Sequence, residues 1–141
     1  MQIGNDDIRN GKYDGQVVYI CDYRLGDKGI HAKPIRNVKP MKVLVRSNKE
    51  LPKNKKVYYS ESHFTKLKSN GGHSSTIIPL FDNTGYRNFT GIALNVFDNI
   101  DECIDCFNKQ VDIVIQRFEE YKKSILPSID NSIEELEKLK G

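Results

Sequence analysis

The sequence predicts an α+β fold, in which an N-terminal antiparallel β-sheet is followed by long, kinked C-terminal helices. Two observations support this prediction. Up to residue 97, short runs rich in β-branched and aromatic residues alternate with turn-forming Gly, Pro, Asn and Asp. From residue 98, apolar residues recur at alternating spacings of three and four, which is the period of a helix that packs along one face.

The first part of the chain is predicted to form six strands, each bounded by a turn. They cover residues 16–23, 31–38, 41–46, 55–59, 76–80 and 92–97. Pro34 has no backbone N–H to donate, so it favours an edge position for the second of these strands. The polar loops at 69–75 and 82–87 separate the last strands from the others.

A long helix is predicted to begin at Asn99, because Asn99 and Glu102 have the spacing of a capping box. Its apolar seam consists of Ile104, Phe107, Val111, Val114, Phe118, Tyr121 and Ile125. An apolar seam is unfavourable in water, so we expect it to pack on the sheet, on the second helix or on a partner subunit, and we expect the protein to be at least a dimer.

Pro127 lies just beyond this seam, and a proline inside a helix removes a hydrogen bond and clashes with the preceding turn. We therefore expect the helix to end or kink at Pro127. A second, shorter helix is predicted to follow, with Ile129, Ile133 and Leu136 on one face.

The size of the chain fits a single domain of 141 residues, with a strand-rich part at 1–97 and a helical tail at 98–141. The three cysteines form a poor disulfide framework, and the first residues lack the basic and apolar regions of a secretory signal. Both observations favour the cytoplasm. No run is as long and apolar as a membrane span.

The charge distribution is uneven. Residues 1–97 carry 16 Lys and Arg against 8 Asp and Glu, a net charge of +8, whereas residues 98–141 carry 6 against 11, a net charge of −5. A basic front part favours an anionic partner. The alternative interpretation is that its lysines are solvated and only keep the domain soluble.

Motifs for chemistry are few. Cys103 and Cys106 form a CxxC pair, but the sequence supplies no further ligands at the spacing of a zinc site and no thioredoxin-like context. We therefore predict a structural role for them, with no metal and no cofactor. The sequence also lacks the signatures of serine hydrolases, zinc proteases and P-loop nucleotidases, so we expect no enzymatic activity.

The candidate ligand-binding residues lie in polar loops and at strand ends. The loop around Asn70, Gly71, His73 and Ser75 could hold an anion with backbone N–H groups and hydroxyls, or be a simple hairpin tip. Tyr86 beside Arg87 offers a stacking face and a guanidinium for phosphate, although the preceding Asp82 and Asn83 would also fit a plain β-turn.

Further candidates have similar side-chain chemistry. They are the segment of Asp22, Tyr23 and Arg24 at one strand end, Phe64 at another, Asn83 in the polar loop, and Phe89, Asn95 and Arg117. The alternative for Arg117 is an ion pair with Glu120 or a contact with Tyr121 on the same helix.

Four segments together resemble the phage Thoeris anti-defence "sponge" family. These segments are 18–24 (VYICDYR), 33–40 (KPIRNVKP), 57–64 (VYYSESHF) and 82–87 (DNTGYR). Their order and spacing agree with the family, and a helical tail follows them in both. The resemblance spans most of the chain, and it depends on the series of segments rather than on one motif.

The resemblance implies a non-catalytic protein that sequesters a cyclic ADP-ribose isomer made by bacterial TIR-domain enzymes, and so blocks effector activation in the host cytoplasm. The resemblance also implies a dimer or hexamer that holds the ligand between subunits. Some members of the family that it resembles also hold cyclic oligonucleotides at a separate site. Two alternatives remain open. One is a nucleic-acid-binding regulatory protein, which the acidic helices disfavour, and the other is a nucleotide-cleaving enzyme.

Overall fold

The computed structural model describes residues 1–25, 34–55, 57–81 and 92–140. Its elements are β1 (Gln2–Ile3), α1 (Asn5–Arg9), β2 (Val17–Leu25), β3 (Pro34–Ser47), a 3-10 turn (Asn48–Glu50), β4 (Ser62–Lys66), β5 (Asn95–Phe97) and α2 (Ile100–Leu139).

The strands form one five-stranded antiparallel sheet in the order β1-β5-β2-β3-β4, and α2 follows it. This arrangement confirms the predicted fold class. The long pair β2–β3 forms the centre of the sheet. β5 lies between β1 and β2, although it is the last of the five strands in the chain.

Side chains alternate between the two faces of the sheet along each strand, and different parts of the chain cover the two faces. On one face Val18, Ile20, Val43 and Val45 are fully buried in the main core together with Ile8 of α1. On the other face, the first part of α2 packs across β2 and β5. There, Cys21, Phe97 and Cys103 form a second, smaller cluster against Tyr19, Cys106 and Phe107.

The predicted strands 31–38 and 41–46 are one strand, β3, within the described residues. The pairing with β2 shifts between Ile20 and Asp22, so that Lys39 and Pro40 have no partner in the ladder. Pro40, which cannot donate a hydrogen bond, therefore lies at a bulge and does not interrupt the strand. On one side Pro34 pairs with Leu25 of β2. On the other side β4 pairs with residues 43–47 of β3 and does not extend to Pro34, which agrees with the expected edge position.

Three other strand predictions need correction. Residues 55–59 form no strand in their described part: Tyr58 and Tyr59 lie in a turn, and Tyr59 has a φ of 64°, which is incompatible with an extended strand. Residues 76–80 contribute only an isolated bridge between Ile78 and Phe64. The last strand is shorter than predicted and covers Asn95–Phe97. The sequence analysis missed β1, α1 and β4.

The tail is one continuous helix, so the prediction of a separate second helix after Pro127 is wrong, whereas a kink at Pro127 stays a prediction. The Asn99 side chain accepts a hydrogen bond from the Glu102 backbone N–H at 2.9 Å, which confirms the predicted cap. The helix continues through Pro127 to Leu139. A single proline removes one backbone hydrogen bond, whereas the surrounding residues supply enough others to keep the helical conformation.

Candidate functional site

A buried carboxylate lies at the junction of β2, β3, β5 and α2. Asp22 is fully buried, and one of its oxygens accepts from Arg24 Nε at 3.1 Å and from Arg36 Nη1 at 3.2 Å. The other oxygen accepts from Asn95 Nδ2 at 3.3 Å and from Gln110 Nε2 at 2.8 Å. We call these five residues the Asp22 cluster. A buried charge is tolerated only when it is paired and hydrogen-bonded, and Asp22 is both.

The two arginines of the cluster are directly opposite each other in the β2–β3 ladder. Like charges in this position repel, so the carboxylate of Asp22 is what allows Arg24 and Arg36 to be neighbours. Arg36 is 9% exposed, and its Nη2 also donates to the Ile92 carbonyl at 2.8 Å. With two guanidinium groups and one carboxylate, the cluster keeps a net positive charge.

Arg24 is the outward-facing member of the cluster. Its side chain is 39% exposed, and its Nε is held by Asp22. Within the described part of the chain, its two terminal Nη groups have no hydrogen-bond partner. The guanidinium is therefore oriented by a buried anion, while the N–H donors of its two Nη groups remain available to an incoming acceptor.

An aromatic pair adjoins the arginines. The rings of Tyr23 and Phe107 meet edge to face, with centroids 6.1 Å apart and planes at 89°. Both side chains are partly exposed. Gln110 connects this pair to the cluster, because its Oε1 accepts from the Tyr23 backbone N–H at 3.1 Å while its Nε2 donates to Asp22.

This arrangement is suited to binding an anion beside a flat group. The Arg24 guanidinium can form two parallel hydrogen bonds to a phosphate or carboxylate, and the neighbouring rings provide an apolar surface. Asp22 already accepts four N–H groups on its two oxygens, which fills its acceptor capacity. Its carboxylate is consequently poorly placed to act as a general base.

The sequence-predicted site residues are distributed unevenly around this cluster. Arg24 and Asn95 belong to it. Arg117 is exposed on the same side of α2 as Gln110, two helical turns further along, or about 10 Å. Phe64 is fully buried in the main core, so a ligand could stack on its ring only if the core opened.

Four other candidates lie outside the described residues. They are Asn83, Tyr86, Arg87 and Phe89. Their contribution to ligand binding stays a prediction from the sequence. Ile92, whose carbonyl accepts from Arg36, is the first described residue after this segment.

The loop that contains Asn70, Gly71, His73 and Ser75 forms a hairpin tip. Its amides are largely used within the hairpin, since Gly71 N–H donates to Lys68 O at 3.1 Å and Gly72 N–H to Asn70 Oδ1 at 3.0 Å. This geometry favours the simple hairpin over an anion-binding nest. Beside the loop, Lys42 and Lys68 line an open cleft of about 530 Å³.

His73 of this hairpin contacts the guanidinium of Arg46. Arg46 in turn donates from Nε to Glu50 at 2.6 Å. The ring of His73 is thus engaged with a cation on β3, which makes it a weaker candidate for holding an anion than the sequence indicated.

The cysteines are packed in the smaller cluster rather than presented to solvent. Cys21 Sγ donates to the Cys103 carbonyl at 3.4 Å, and the Cys21 pKa is raised by its hydrogen bond with the Cys103 thiol and by burial. Burial also raises the pKa of Cys106 to about 11. Thiols that stay protonated, as Cys21 and Cys106 do, are poor nucleophiles. The hydrogen bond with Cys21 lowers the pKa of Cys103, but the side chain of Cys103 is fully buried. Among the described residues, no group of three or more His, Cys, Asp or Glu is arranged to hold a metal ion.

Sequence reasoning named Asp22 only as part of the candidate segment Asp22–Arg24, and it did not assign Arg36 or Gln110 to the site. The alternation of Asp22 and Arg24 along one strand was a usable signal, because residues two apart share a face. Arg36 and Gln110 had no local signal, since they reach Asp22 only through strand pairing and through the packing of α2 on β2.

Comparisons with known proteins identify no relative. No family model matches the chain, and neither the curated proteins nor the solved structures include a significant match. In the described part of the chain, no helix is long and apolar enough to cross a membrane.

Proposed function

We propose that this chain is a non-catalytic sponge that binds an anionic nucleotide of the cyclic ADP-ribose class at the Asp22 cluster. In this proposal, it acts in the cytoplasm of an infected bacterium and withholds an immune signal made by TIR-domain enzymes. The proposed class of ligand comes from the resemblance of four sequence segments. The observation that carries the proposed site is the Arg24 guanidinium, which is fixed on a buried carboxylate and open to solvent.

The charge of the cluster supports a phosphate-bearing ligand. A pyrophosphate needs donors that are already oriented, because ordering a free arginine side chain costs entropy on binding. Asp22 supplies that orientation for Arg24, and the surrounding strand-rich part carries a net charge of +8. Long-range attraction and short-range hydrogen bonds therefore favour the same kind of ligand.

The neighbouring rings support a ligand with a flat group. Tyr23 and Phe107 hold each other edge to face, so their orientation is set before a ligand arrives. Stacking or edge contact with a purine would add apolar burial next to the phosphate contact.

The carboxylate of Asp22 already accepts four hydrogen bonds, and this supports binding without cleavage. Hydrolysis of a nucleotide normally requires a general base or a metal to activate water. The only carboxylate of the cluster is engaged with four donors, and removing it from them would leave two arginines uncompensated.

A binding-and-release experiment tests this function. The protein is incubated with cyclic ADP-ribose isomers, freed of unbound ligand, and heated to release what it holds, which is then analysed by chromatography. We expect intact ligand in the released fraction. Altered ligand would identify a nucleotide-cleaving enzyme. No bound ligand would exclude a sponge for this class, and a filter-binding assay with DNA and RNA would then test the nucleic-acid alternative.

Arg24→Gln tests the site itself. A charge-assisted hydrogen bond to a phosphate is worth about 1.5–3 kcal/mol, so the loss should weaken binding roughly ten- to a hundredfold. Lys49→Gln is the matched control, because it removes the same charge from an exposed position on the 3-10 turn. Equal effects of both variants in calorimetry would show that only the overall charge matters and would overturn the assignment to Arg24.

A further inference from the structure

The hairpin tip at residues 68–72 contains a reactive dipeptide that the proposed function does not use. Asn70 is followed by Gly71, and both residues are exposed. Gly71 has a φ of 87°, and its N–H donates to the Lys68 carbonyl at 3.1 Å, which closes a tight turn. In an Asn-Gly pair the side-chain amide is open to attack by the next backbone nitrogen, because glycine has no Cβ to shield that nitrogen.

We propose that Asn70 is a site of spontaneous deamidation, and that the fold selects it over the other Asn-Gly pair of the chain, Asn10–Gly11. The backbone nitrogen of Gly71 gives up its proton and bonds to Cγ of Asn70, the Cγ–Nδ2 bond breaks, and the amide nitrogen leaves with a proton as ammonia. The product is a five-membered succinimide. This proposal does not rest on the proposed ligand or its site.

Water completes the reaction by opening the succinimide ring. Addition of water at Cγ breaks the bond from Cγ to the Gly71 nitrogen and gives aspartate. Addition at the backbone carbonyl carbon breaks the bond from that carbon to the same nitrogen and gives isoaspartate, in which the main chain runs through the side chain of residue 70. In both products a neutral amide has become a carboxylate.

One favourable contact is common to the two Asn-Gly pairs. The Gly72 N–H donates to Asn70 Oδ1 at 3.0 Å, and the Lys12 N–H donates to Asn10 Oδ1 at 3.2 Å. Each donor faces the oxygen on which negative charge develops when the nitrogen attacks, so it stabilises the tetrahedral intermediate. The difference between the pairs therefore comes from their surroundings.

The surroundings of Asn10 restrict the movement that the reaction needs. Asn10 is the C-cap of α1, and the Gly11 N–H donates to Ile8 O at 3.2 Å. A Cβ placed on Gly11 would meet the Asp14 carboxylate at 3.2 Å, whereas a Cβ on Gly71 would meet none of the described residues within 4 Å. The hairpin tip is therefore open, and exposed loop tips unfold locally at a low free-energy cost.

Charge favours the hairpin tip as well. The attacking group is a nitrogen that has given up its proton, so nearby cations lower the barrier and nearby anions raise it. Residues 66–75 contain two lysines and no acidic residue. Gly11 instead lies beside the carboxylates of Asp14 and Glu61, and the two cations that flank its asparagine are each paired with an aspartate.

Deamidation changes the hairpin in two ways. Either product adds a negative charge close to Lys68, which lines the open cleft together with Lys42. Isoaspartate also inserts one carbon into the backbone of a tip that the Lys68 N–H closes by donating to Gly72 O at 2.7 Å. We therefore expect isoaspartate to break this hydrogen bond and to loosen the bridge between Leu67 and His73.

Ageing of the folded protein tests the proposal. The full chain is kept in mildly alkaline buffer for several days, digested, and analysed by tandem mass spectrometry, which localises the mass gain that accompanies replacement of an amide NH2 by OH. We expect the gain at Asn70 to be at least about tenfold faster than at Asn10, which corresponds to a barrier difference of only about 1.4 kcal/mol. Equal rates, or a faster reaction at Asn10, would overturn the proposal.

The same chain unfolded in guanidinium chloride is the matched control. Both asparagines precede glycine, and the salt screens the neighbouring charges, so the two rates should converge once the fold is removed. A ratio that unfolding leaves unchanged would overturn the proposal, because the neighbouring sequence would then make the selection. So would a folded protein that reacts at neither position while the unfolded chain reacts at both.

The effect on the hairpin is measured on the deamidated fraction, which ion-exchange chromatography separates by its added negative charge. Asn70→Asp is the control, because it adds the charge without the extra backbone carbon. Hydrogen exchange at residues 67–73 should be faster in the isoaspartate fraction than in Asn70→Asp, and equal exchange would overturn the expected loss of the closing hydrogen bond. Asn70→Gln should remove the acidic fraction, since its longer side chain would have to form a six-membered ring. An acidic fraction that persists would place the reaction elsewhere and overturn the assignment to Asn70.

Discussion

Asp22 is the residue on which most of the candidate site depends. It compensates two arginines that would otherwise repel each other across the β2–β3 ladder, and it connects β5 and α2 to the same point through Asn95 and Gln110. One carboxylate thereby orients the proposed ligand-binding guanidinium and forms a hydrogen bond to the helix that carries Phe107.

Asp22→Asn should destabilise the protein strongly although it barely changes the shape of the side chain. Removing one partner of a buried ion pair typically costs about 3–5 kcal/mol, because the remaining charges are left uncompensated. Urea unfolding measures the change. Asp22→Asn combined with Arg36→Met should recover part of the loss, since it also removes a buried cation. A single variant as stable as the unmodified chain would show that solvent, rather than Asp22, compensates the arginines.

At the level of single residues, the sequence could predict that Arg24 and Asn95 belong to a polar site but not what holds them. The sequence also could not predict whether the side chain of Phe64 is exposed or buried. A phenylalanine at a strand end looks the same in sequence whether it faces solvent or, as here, the main core.

Among the elements, the predictions were most reliable where one period dominated. The strand of residues 16–23 and the start of α2 at Asn99 were predicted closely, because alternation and a capping residue act locally. The division of β3 was wrong, since a bulge that accommodates Pro40 depends on the register with β2. The strand expected at 55–59 failed because β-forming residues there occupy turns, and Tyr59 has positive φ.

Pro127→Ala tests whether α2 is continuous in solution. Proline costs about 3 kcal/mol relative to alanine inside a helix, so the substitution should stabilise α2 by up to that amount. Thermal unfolding followed by circular dichroism at 222 nm measures it, and Ser128→Ala serves as the neighbouring exposed control. A gain no larger than that of the control would mean that the helix is interrupted at Pro127, as the sequence alone suggested.

The stability of the whole molecule should depend on pH through His63. This side chain is buried, its Nδ1 lies 2.9 Å from Asn48 Oδ1, and Asn48 Nδ2 donates to the Ser60 carbonyl. Asn48 Oδ1 is an acceptor, so the Nδ1–H of His63 is the donor in this contact. Burial first, and then the nearby Arg46, lower the pKa of His63 in the folded state.

The direction of the pH effect follows from this lowered pKa. As the pH falls below about 6.5, the unfolded chain takes up a proton on His63 before the folded protein does, so the free energy of unfolding decreases until the folded pKa is passed. Unfolding by urea between pH 8 and pH 5 should show this decrease. His63→Asn should flatten it, whereas His73→Asn, at an exposed position, should not. An unchanged slope in His63→Asn would assign the dependence to another group.

The strand order has a consequence for how the chain acquires its fold. Gln2 pairs with Phe97, and β5 also pairs with β2, so the sheet cannot be completed until residues 95–97 are available. The β2–β3–β4 meander, by contrast, joins strands that are neighbours in the chain. Pairing β1 with β5 closes the long loop between Ile3 and Asn95, which costs conformational entropy, and such non-local pairing slows folding. On a ribosome the meander therefore forms first, while β1 remains unpaired until β5 has emerged and α2 can close over the second face.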